Sequence, residues 1–435
     1  MTINNIKYAL TLTLTLTLLS CGSSKKAAKD NISIAKTEAQ ADAAKQNGTN
    51  DDIDNFTPSA AANHLAWPQN MQRSLDEYIA QSRLLKTSQL GLMVYDLTDD
   101  KVLYNHNAEQ AMRPASTMKV ITAVTALDKL GNYYTYKTRL KYTGEVVDSI
   151  RTLKGNLYLV GTMDPMIDRS DLQAMVRSLK SLGVDTIRGA IFTDKSMKDS
   201  NLLGEGWCWD DDNPELSALV YNRKDNMLEH FLSVLSEEKI YFNGYTGEYT
   251  CPISATEACV RTHTLQQVLT PMLKKSDNLY AESVYYQMAY ATGGPATAKK
   301  AQALEREIIR KMGKENISYR LADGSGLSLY NYVTAELEVT FLRYAYRHKE
   351  IYNTLYPTLP IAASDGTLKS RMAGTKAAWN VHAKTGTVTG ISSLCGYCTA
   401  SNGHLLCFSI LNQGIMSPSP GRAFQNKVCE IMCKY

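Results

Sequence analysis

The sequence predicts an α/β protein of the α+β type: one antiparallel sheet covered by helices, with a smaller lobe inserted into it. Three observations carry this. Strand-like alternation occupies both ends of the folded region, at about 89–104 and 379–411. Amphipathic helical stretches fill much of the chain between them. The middle, 141–255, has short apolar runs of its own that match neither end. A sheet assembled from both chain ends, with residues 65–140 and 256–435 forming the main domain and 141–255 the inserted lobe, is the economical arrangement.

The elements follow in order. Lys7 precedes an apolar run from Tyr8 to Leu19. The run is too short for a bilayer-spanning helix, which needs about 20 apolar residues, but suits the core of a secretory signal. It stops at Leu18-Leu19-Ser20-Cys21-Gly22, a junction that resembles a bacterial lipoprotein signal. Residues 1–20 are therefore expected to be a signal peptide and Cys21 the lipidated first residue of the mature chain. Residues 21–64 are poor in bulky apolar side chains, cannot offset ordering entropy, and read as a tether. Folding is expected to begin near Leu65-Ala66-Trp67.

Gln89–Asp96 alternates as a strand, Thr98-Asp99-Asp100 turns, and Val102-Leu103-Tyr104 returns as the second arm of a hairpin. Ser116 to Leu130 reads as a helix with Val120, Ile121, Ala123, Val124 and Leu127 on its apolar face and Gly131 as its stop. Further helices are expected at about 171–182, 225–238, 264–275, 278–291, 297–312, 335–347 and 421–433, with strands at about 379–385, 391–399 and 404–411. The lobe contributes strands at Leu157–Val160 and Ile187–Thr193.

Composition narrows the function. The 47 Lys and Arg nearly balance 43 Asp and Glu, for a net charge of +4, so no nucleic-acid partner is expected from bulk charge. Tyr is abundant, at 26 against 7 Phe, which points to amphipathic rings on strands and clefts. Apart from Cys21 there are eight cysteines. The spacing of Cys395, Cys398, Cys429 and Cys433 has a zinc-like outline. Their apolar strand and helix settings favour packing as small buried hydrophobes instead, and neither a metal nor a cofactor is expected.

Three short motifs carry chemistry: Ser116-Thr117-Met118-Lys119, Ser276-Asp277-Asn278 and Lys384-Thr385-Gly386. This ordered set marks penicillin-binding proteins and class A β-lactamases. Ser-x-x-Lys recurs at Ser23, Ser33 and Ser236, but only Ser116 opens an amphipathic helix after a hairpin. A serine hydroxyl needs an adjacent base to attack a carbonyl. Lys119 lies three residues on, on the same helix face. A lysine works as a base only when neutral, which burial and a second cation favour; Lys384 is the expected cation. Lys384 and Thr385 suit a substrate carboxylate, Gly386 a close ligand backbone, and the N–H groups of Ser116 and Thr387 an oxyanion. Ser276 is placed to relay a proton to the leaving nitrogen, and Asn278 to bond a substrate amide.

Taken together, the chain resembles the class C low-molecular-mass penicillin-binding proteins, the D-alanyl-D-alanine carboxypeptidase/endopeptidases, over about residues 85–415. Gly155–Gly161 with Asp164-Pro165, Gly183–Asp194, Gly206-Trp207 with Trp209, Asp323–Ser328, and Asp365–Leu368 with Arg371 extend the likeness. The resemblance implies a penicillin-binding transpeptidase-like domain and a serine peptidase that trims peptidoglycan stem peptides and cross-links. It also implies covalent inhibition by β-lactams and a place in the bacterial cell envelope at the periplasmic face, while the Cys21 junction implies membrane attachment through a lipid anchor. It suggests that Asp194 either meets a cationic group of the stem peptide or serves as a turn residue ending a strand. Where the family places an aromatic residue after Asp194, this chain has Met197.

Competing activities fit less well. A class A β-lactamase needs Glu-x-x-Leu-Asn, and Glu215-Leu216-Ser217-Ala218-Leu219 does not match it. A class C enzyme carries Tyr-x-Asn. No His-Glu-x-x-His metallopeptidase pattern occurs, Ser325 lacks the glycine of an α/β-hydrolase elbow, and an inactive scaffold would have lost a motif residue.

Overall fold

The computed structural model describes residues 56–59, 65–209, 213–315 and 318–435. The expected signal peptide, Cys21 and most of the tether lie outside the described residues. Phe56, which the sequence reading left in the tether, is 7% exposed and its ring centre lies 5.1 Å from that of Tyr78. Helix α1 (Gln69–Gln81), not foreseen, buries Met71, Leu75 and Tyr78 on one face, the three- and four-residue spacing of an amphipathic helix.

The hairpin forms as read, with β1 (Gln89–Asp96) against β2 (Lys101–His106). The next helix begins differently. Ala115–Thr117 is a tight 3-10 turn, and α2 (Met118–Leu130) starts after Ser116. Every residue of α2 from Met118 to Leu127 is buried, and Gly131 with φ +79° ends it, a backbone angle glycine adopts without strain.

The lobe follows. Its strands are β3 (Thr135–Tyr142), β4 (Glu145–Val147), β5 (Thr152–Lys154), β6 (Leu157–Val160), β7 (Thr186–Arg188), β8 (Ile191–Asp194), β9 (Tyr241–Phe242), β10 (Thr246–Glu248) and β11 (Thr256–Thr264). Helix α3 (Arg169–Ser181) lies between β6 and β7, and α4 (Met227–Glu237) between β8 and β9. Two sheets result, ordered β10-β8-β6-β3-β11 and β4-β5-β7-β9. Strands β3 and β11 pair along their lengths; β3 runs past residue 140 and β11 begins at 256, the two places where the sequence reading drew the lobe's limits. Leu157, Leu159, Ile191, Leu172, Met175 and Phe231 lie in its separate core.

The chain then returns through α5 (Leu265–Lys274), α6 (Asn278–Tyr290), α7 (Ala298–Lys311), α8 (Ala335–Arg347) and α9 (Lys349–Leu355). Strands β12 (His382–Val388), β13 (Ile391–Thr399) and β14 (Leu405–Gln413) and helix α10 (Pro418–Lys434) complete it. The main sheet runs β12-β13-β14-β1-β2, all antiparallel. Its two faces bury alternate residues. Leu92, Val94, Leu394 and Phe408 join the core beside α1 and α10, while Met93, Tyr95, Tyr397 and Leu411 join the core around α2 and α8.

Strand β12 starts three residues later than read. Trp379 has φ +62° and its N–H bonds to Ala362, so the segment before Val381 is a turn. This shift moves Lys384 from a strand end to the middle of a strand. Cys395, Cys398, Cys407, Cys429 and Cys433 are all buried free thiols, as packing residues require.

Phe408 is fully buried in β14, between β13 and β1. Phe408→Ala is expected to cost about 3–5 kcal/mol, read as a lower midpoint in urea unfolding with an unchanged slope.

Candidate active site

Three separate pieces of chain meet where the 3-10 turn, the α5–α6 junction and β12 come together. The turn aims Ser116 across to Lys119, one helical step on. Lys119 Nζ lies 3.0 Å from Ser116 Oγ, 2.7 Å from Asn278 Oδ1 and 2.7 Å from the Ser325 carbonyl oxygen. Lys384 Nζ donates to Ser276 Oγ at 2.9 Å and to the Thr385 carbonyl at 2.6 Å. All three sequence motifs thus share one hydrogen-bonded cluster.

The local structure excludes simpler roles for these residues. Neither the 3-10 turn nor α2 has a side-chain cap, so Ser116 is not a capping residue. Asp277, not Ser276, caps α6 by accepting the Leu279 N–H at 2.9 Å. Lys384 is fully buried, not a solvated strand end. Ala115 and Ser276 both hold left-handed backbone angles, φ +49° and +60°. Such strain costs about 1–3 kcal/mol per residue and persists only where the surroundings enforce it.

Gly386 is enforced in another way. A Cβ there would fall 2.1 Å from Ser393 Oγ and 3.0 Å from Ser116 N. The β12 backbone therefore runs directly against the turn that carries the nucleophile, next to Thr387. Thr385 Oγ1 bonds to Thr367 Oγ1 at 2.7 Å, which gives the Asp365–Leu368 segment a place at the cleft wall.

Burial governs the electrostatics. Lys119 is 0% exposed, and loss of hydration pushes its pKa down to about 8, against the pull of Asp323, Glu282 and Asp277. Lys384 is driven well below its ordinary range, first by burial and then by repulsion from Lys119. Burial lowers Lys119 as expected, but the expected repulsion between the two lysines falls on Lys384 and not on Lys119.

Several participants had no assigned role in the sequence. Glu282, four residues after Asn278 on α6, is buried behind Lys119, and its carboxylate accepts the Ser325 N–H at 2.8 Å. Burial and the Asp323 charge push its pKa up to about 8. Asp323 binds the N–H groups of Gly326 and Ser328, both at 2.7 Å, and Trp207 Nε1 at 2.8 Å. Arg223, from the lobe, clamps Asp277 through two contacts of 3.0 and 2.9 Å. Asp323 and Trp207 fell within the family-like segments Asp323–Ser328 and Gly206-Trp207, whereas Glu282 and Arg223 lay in none.

Asp194 is not brought into this cluster. It is 5% exposed at the end of β8, and its carboxylate oxygens accept the N–H groups of Ser196 at 2.9 Å and Cys251 at 2.8 Å. These two bonds close a turn at the end of the strand, with one N–H on each carboxylate oxygen.

A serine beside a buried lysine base, facing a second lysine on an adjoining strand, defines a serine acyl-transfer enzyme. The comparisons with known proteins agree. Residues 71–222 and 213–435 match the D-Ala-D-Ala carboxypeptidase 3 (S13) family, and the chain belongs to that family. A D-alanyl-D-alanine carboxypeptidase of an Actinomadura species is 27% identical, over 82% of this chain and 83% of that protein. The fold matches penicillin binding protein 4 of Haemophilus influenzae with a TM-score of 0.76 at 23% identity, over 83% of this chain and 99% of the other. It also matches a predatory peptidoglycan endopeptidase of Bdellovibrio bacteriovorus with a TM-score of 0.52 at 19% identity, over 75% and 86% of the two chains.

The pKa of Lys119 sets a pH profile. Above about 8 the amine is neutral and accepts the Ser116 proton; below it the ammonium has no room for one. The acylation rate with labelled penicillin is expected to fall roughly tenfold per pH unit below that point. A flat rate between pH 6 and 9 in rapid-mixing measurements contradicts this assignment.

Proposed function

We propose that the protein is a serine D-alanyl-D-alanine carboxypeptidase and endopeptidase of peptidoglycan, working through an acyl-enzyme on Ser116. The observation that carries this reading is the 3.0 Å contact between Ser116 Oγ and a Lys119 amine shielded from water. Ser116 attacks the carbonyl between two D-alanines, or the matching carbonyl of a cross-link, as its proton passes to Lys119. The tetrahedral oxyanion falls to the N–H groups of Ser116 and Thr387. Ser276 returns a proton to the leaving amine, and water then releases the acyl group.

The remaining residues position the substrate. Lys384 and Thr385 hold the terminal carboxylate, whose negative charge favours the ammonium form of Lys384. The Asn278 amide oxygen is engaged by Lys119, which leaves its NH₂ to donate to the substrate. A β-lactam places a strained amide beside a carboxylate and acylates the same serine. Its leaving group stays tethered in the cleft and slows deacylation.

We further propose that cleavage before Cys21 and its lipidation anchor the mature protein to a membrane at the periplasmic side of the envelope. A tether of about 40 residues, at most ~3.3–3.6 Å each, lets the catalytic domain reach into the wall. Among the described residues no helix is long and apolar enough to cross a membrane. Cys21→Ser is expected to move the protein from the membrane to the soluble fraction; retention of the variant and absence of lipid mass on the wild type contradict the anchor.

Ser116→Ala is expected to abolish both penicillin labelling and D-Ala release while the melting temperature holds. Lys119→Ala is expected to lower both by roughly 1000-fold or more, since a nucleophile without its base does little better than none. Peptide mapping of the penicilloyl group checks the assignment, and attachment anywhere other than Ser116 overturns it.

A further inference from the structure

The catalytic cleft leaves the tyrosine excess of the sequence largely unused. Part of it stands exposed on the inserted lobe: Tyr241, Tyr245 and Tyr249 are 62%, 67% and 58% exposed. Parallel pairing of β10 with β8 sets Gly247 opposite Phe192. Tyr245 and Tyr249, two residues to either side of Gly247, share its face of the sheet. The Phe192 ring centre lies 5.9 Å from that of Tyr245 and 5.5 Å from that of Tyr249. A Cβ at 247 would touch the Phe192 ring at 3.5 Å. Glycine there adds no side chain over the partly exposed Phe192 ring, which also packs against Tyr158 at 5.5 Å, and the Tyr245, Phe192 and Tyr249 rings form one aromatic row.

A cleft of about 480 Å³ lies where β7 leads into β8 and β9 into β10, and its lining residue Gly244 directly precedes Tyr245. Arg188, Tyr241 and Asn243 line it together with Gly189 and Gly244. Its wall is rigid backbone: a Cβ at 244 would fall 1.9 Å from the Gly189 carbonyl oxygen. Among the described residues the Arg188 guanidinium, the Asn243 amide and the Tyr241 hydroxyl make no hydrogen bond or ion pair. They are free to meet a ligand.

A pyranose ring needs these two features together. Its C–H face stacks on aromatic rings, while its hydroxyl and acetamido rim seeks planar donors and acceptors. Tyrosine suits such a surface better than phenylalanine because its hydroxyl keeps the exposed ring compatible with water. We infer that this corner of the lobe is a carbohydrate site that holds the glycan strand of peptidoglycan, with sugar faces on the Tyr245, Phe192 and Tyr249 rings and polar groups toward Arg188 and Asn243. The inference rests on the reading of peptidoglycan as substrate. It adds a hold on the sugar polymer, separate from the cleft that cuts the peptide.

The test uses the mature Ser116→Ala protein and chitohexaose, a soluble β-1,4-linked N-acetylglucosamine oligomer, as probe in a calorimetric titration. Saturable binding is expected, weakened at least about tenfold in the Tyr245→Ala/Tyr249→Ala double variant and again in Arg188→Ala. The replaced side chains are exposed, so an unchanged melting temperature checks folding. Absence of saturable binding, or equal binding by the parent protein and both variants, overturns the proposal. Penicillin labelling of the otherwise wild-type protein at Ser116 is scored separately. Loss of labelling counts against the peptidase reading, whereas loss of sugar binding alone counts only against the carbohydrate site.

Discussion

An amine removed from water either keeps a full set of acceptors or gives up its proton. Much of this site follows from how Lys119 meets that condition. Its three partners come from three distant places: Ser116 on the preceding turn, Asn278 at the start of α6, and the carbonyl of Ser325. Each must be held by something else. Glu282 and Asp323 hold the Ser325 loop, Asp277 caps the helix that begins with Asn278, and the β12 backbone presses on the turn at Ser116. The carboxylates that brace the loop also keep the Lys119 pKa from falling further than burial alone would drive it. Support of the backbone and tuning of the base are therefore one arrangement.

The inserted lobe enters this arrangement at its margin. Arg223 reaches Asp277, the middle residue of the second motif, and Trp207 reaches Asp323. Both contacts touch residues that position others, not the nucleophile or the base. A lobe with its own core can vary in size and still leave the acyl-transfer geometry in place, provided these contacts survive.

The three motifs were legible because their chemistry demands side chains of fixed type at fixed spacing. Most of the long helices and the strands of the main sheet were legible from their apolar patterning; α1, with its one buried face, was not. What escaped has a physical reason in each case. The third acceptor of Lys119 is a backbone carbonyl, which no residue type announces. Glu282 looks like any polar residue on a helix until its neighbours bury it. Strands of two to four residues, such as β9 and β10, carry too few positions to display alternation. Phe56 is an isolated ring in a polar stretch, and only the packing around Tyr78 gives it a partner.

The pairing of β14 with β1 joins positions 324 residues apart. Strand β12, which bears Lys384, reaches the rest of the sheet only through β13 and β14. Non-local pairing of this kind is slow and comes late. During synthesis from the N-terminus, the nucleophile and its base emerge first, and the strand opposite them emerges near the end. A nascent or prematurely truncated chain therefore holds Ser116 without its facing wall. Hydrolytic competence arrives in one step, after nearly all of the polypeptide has been made.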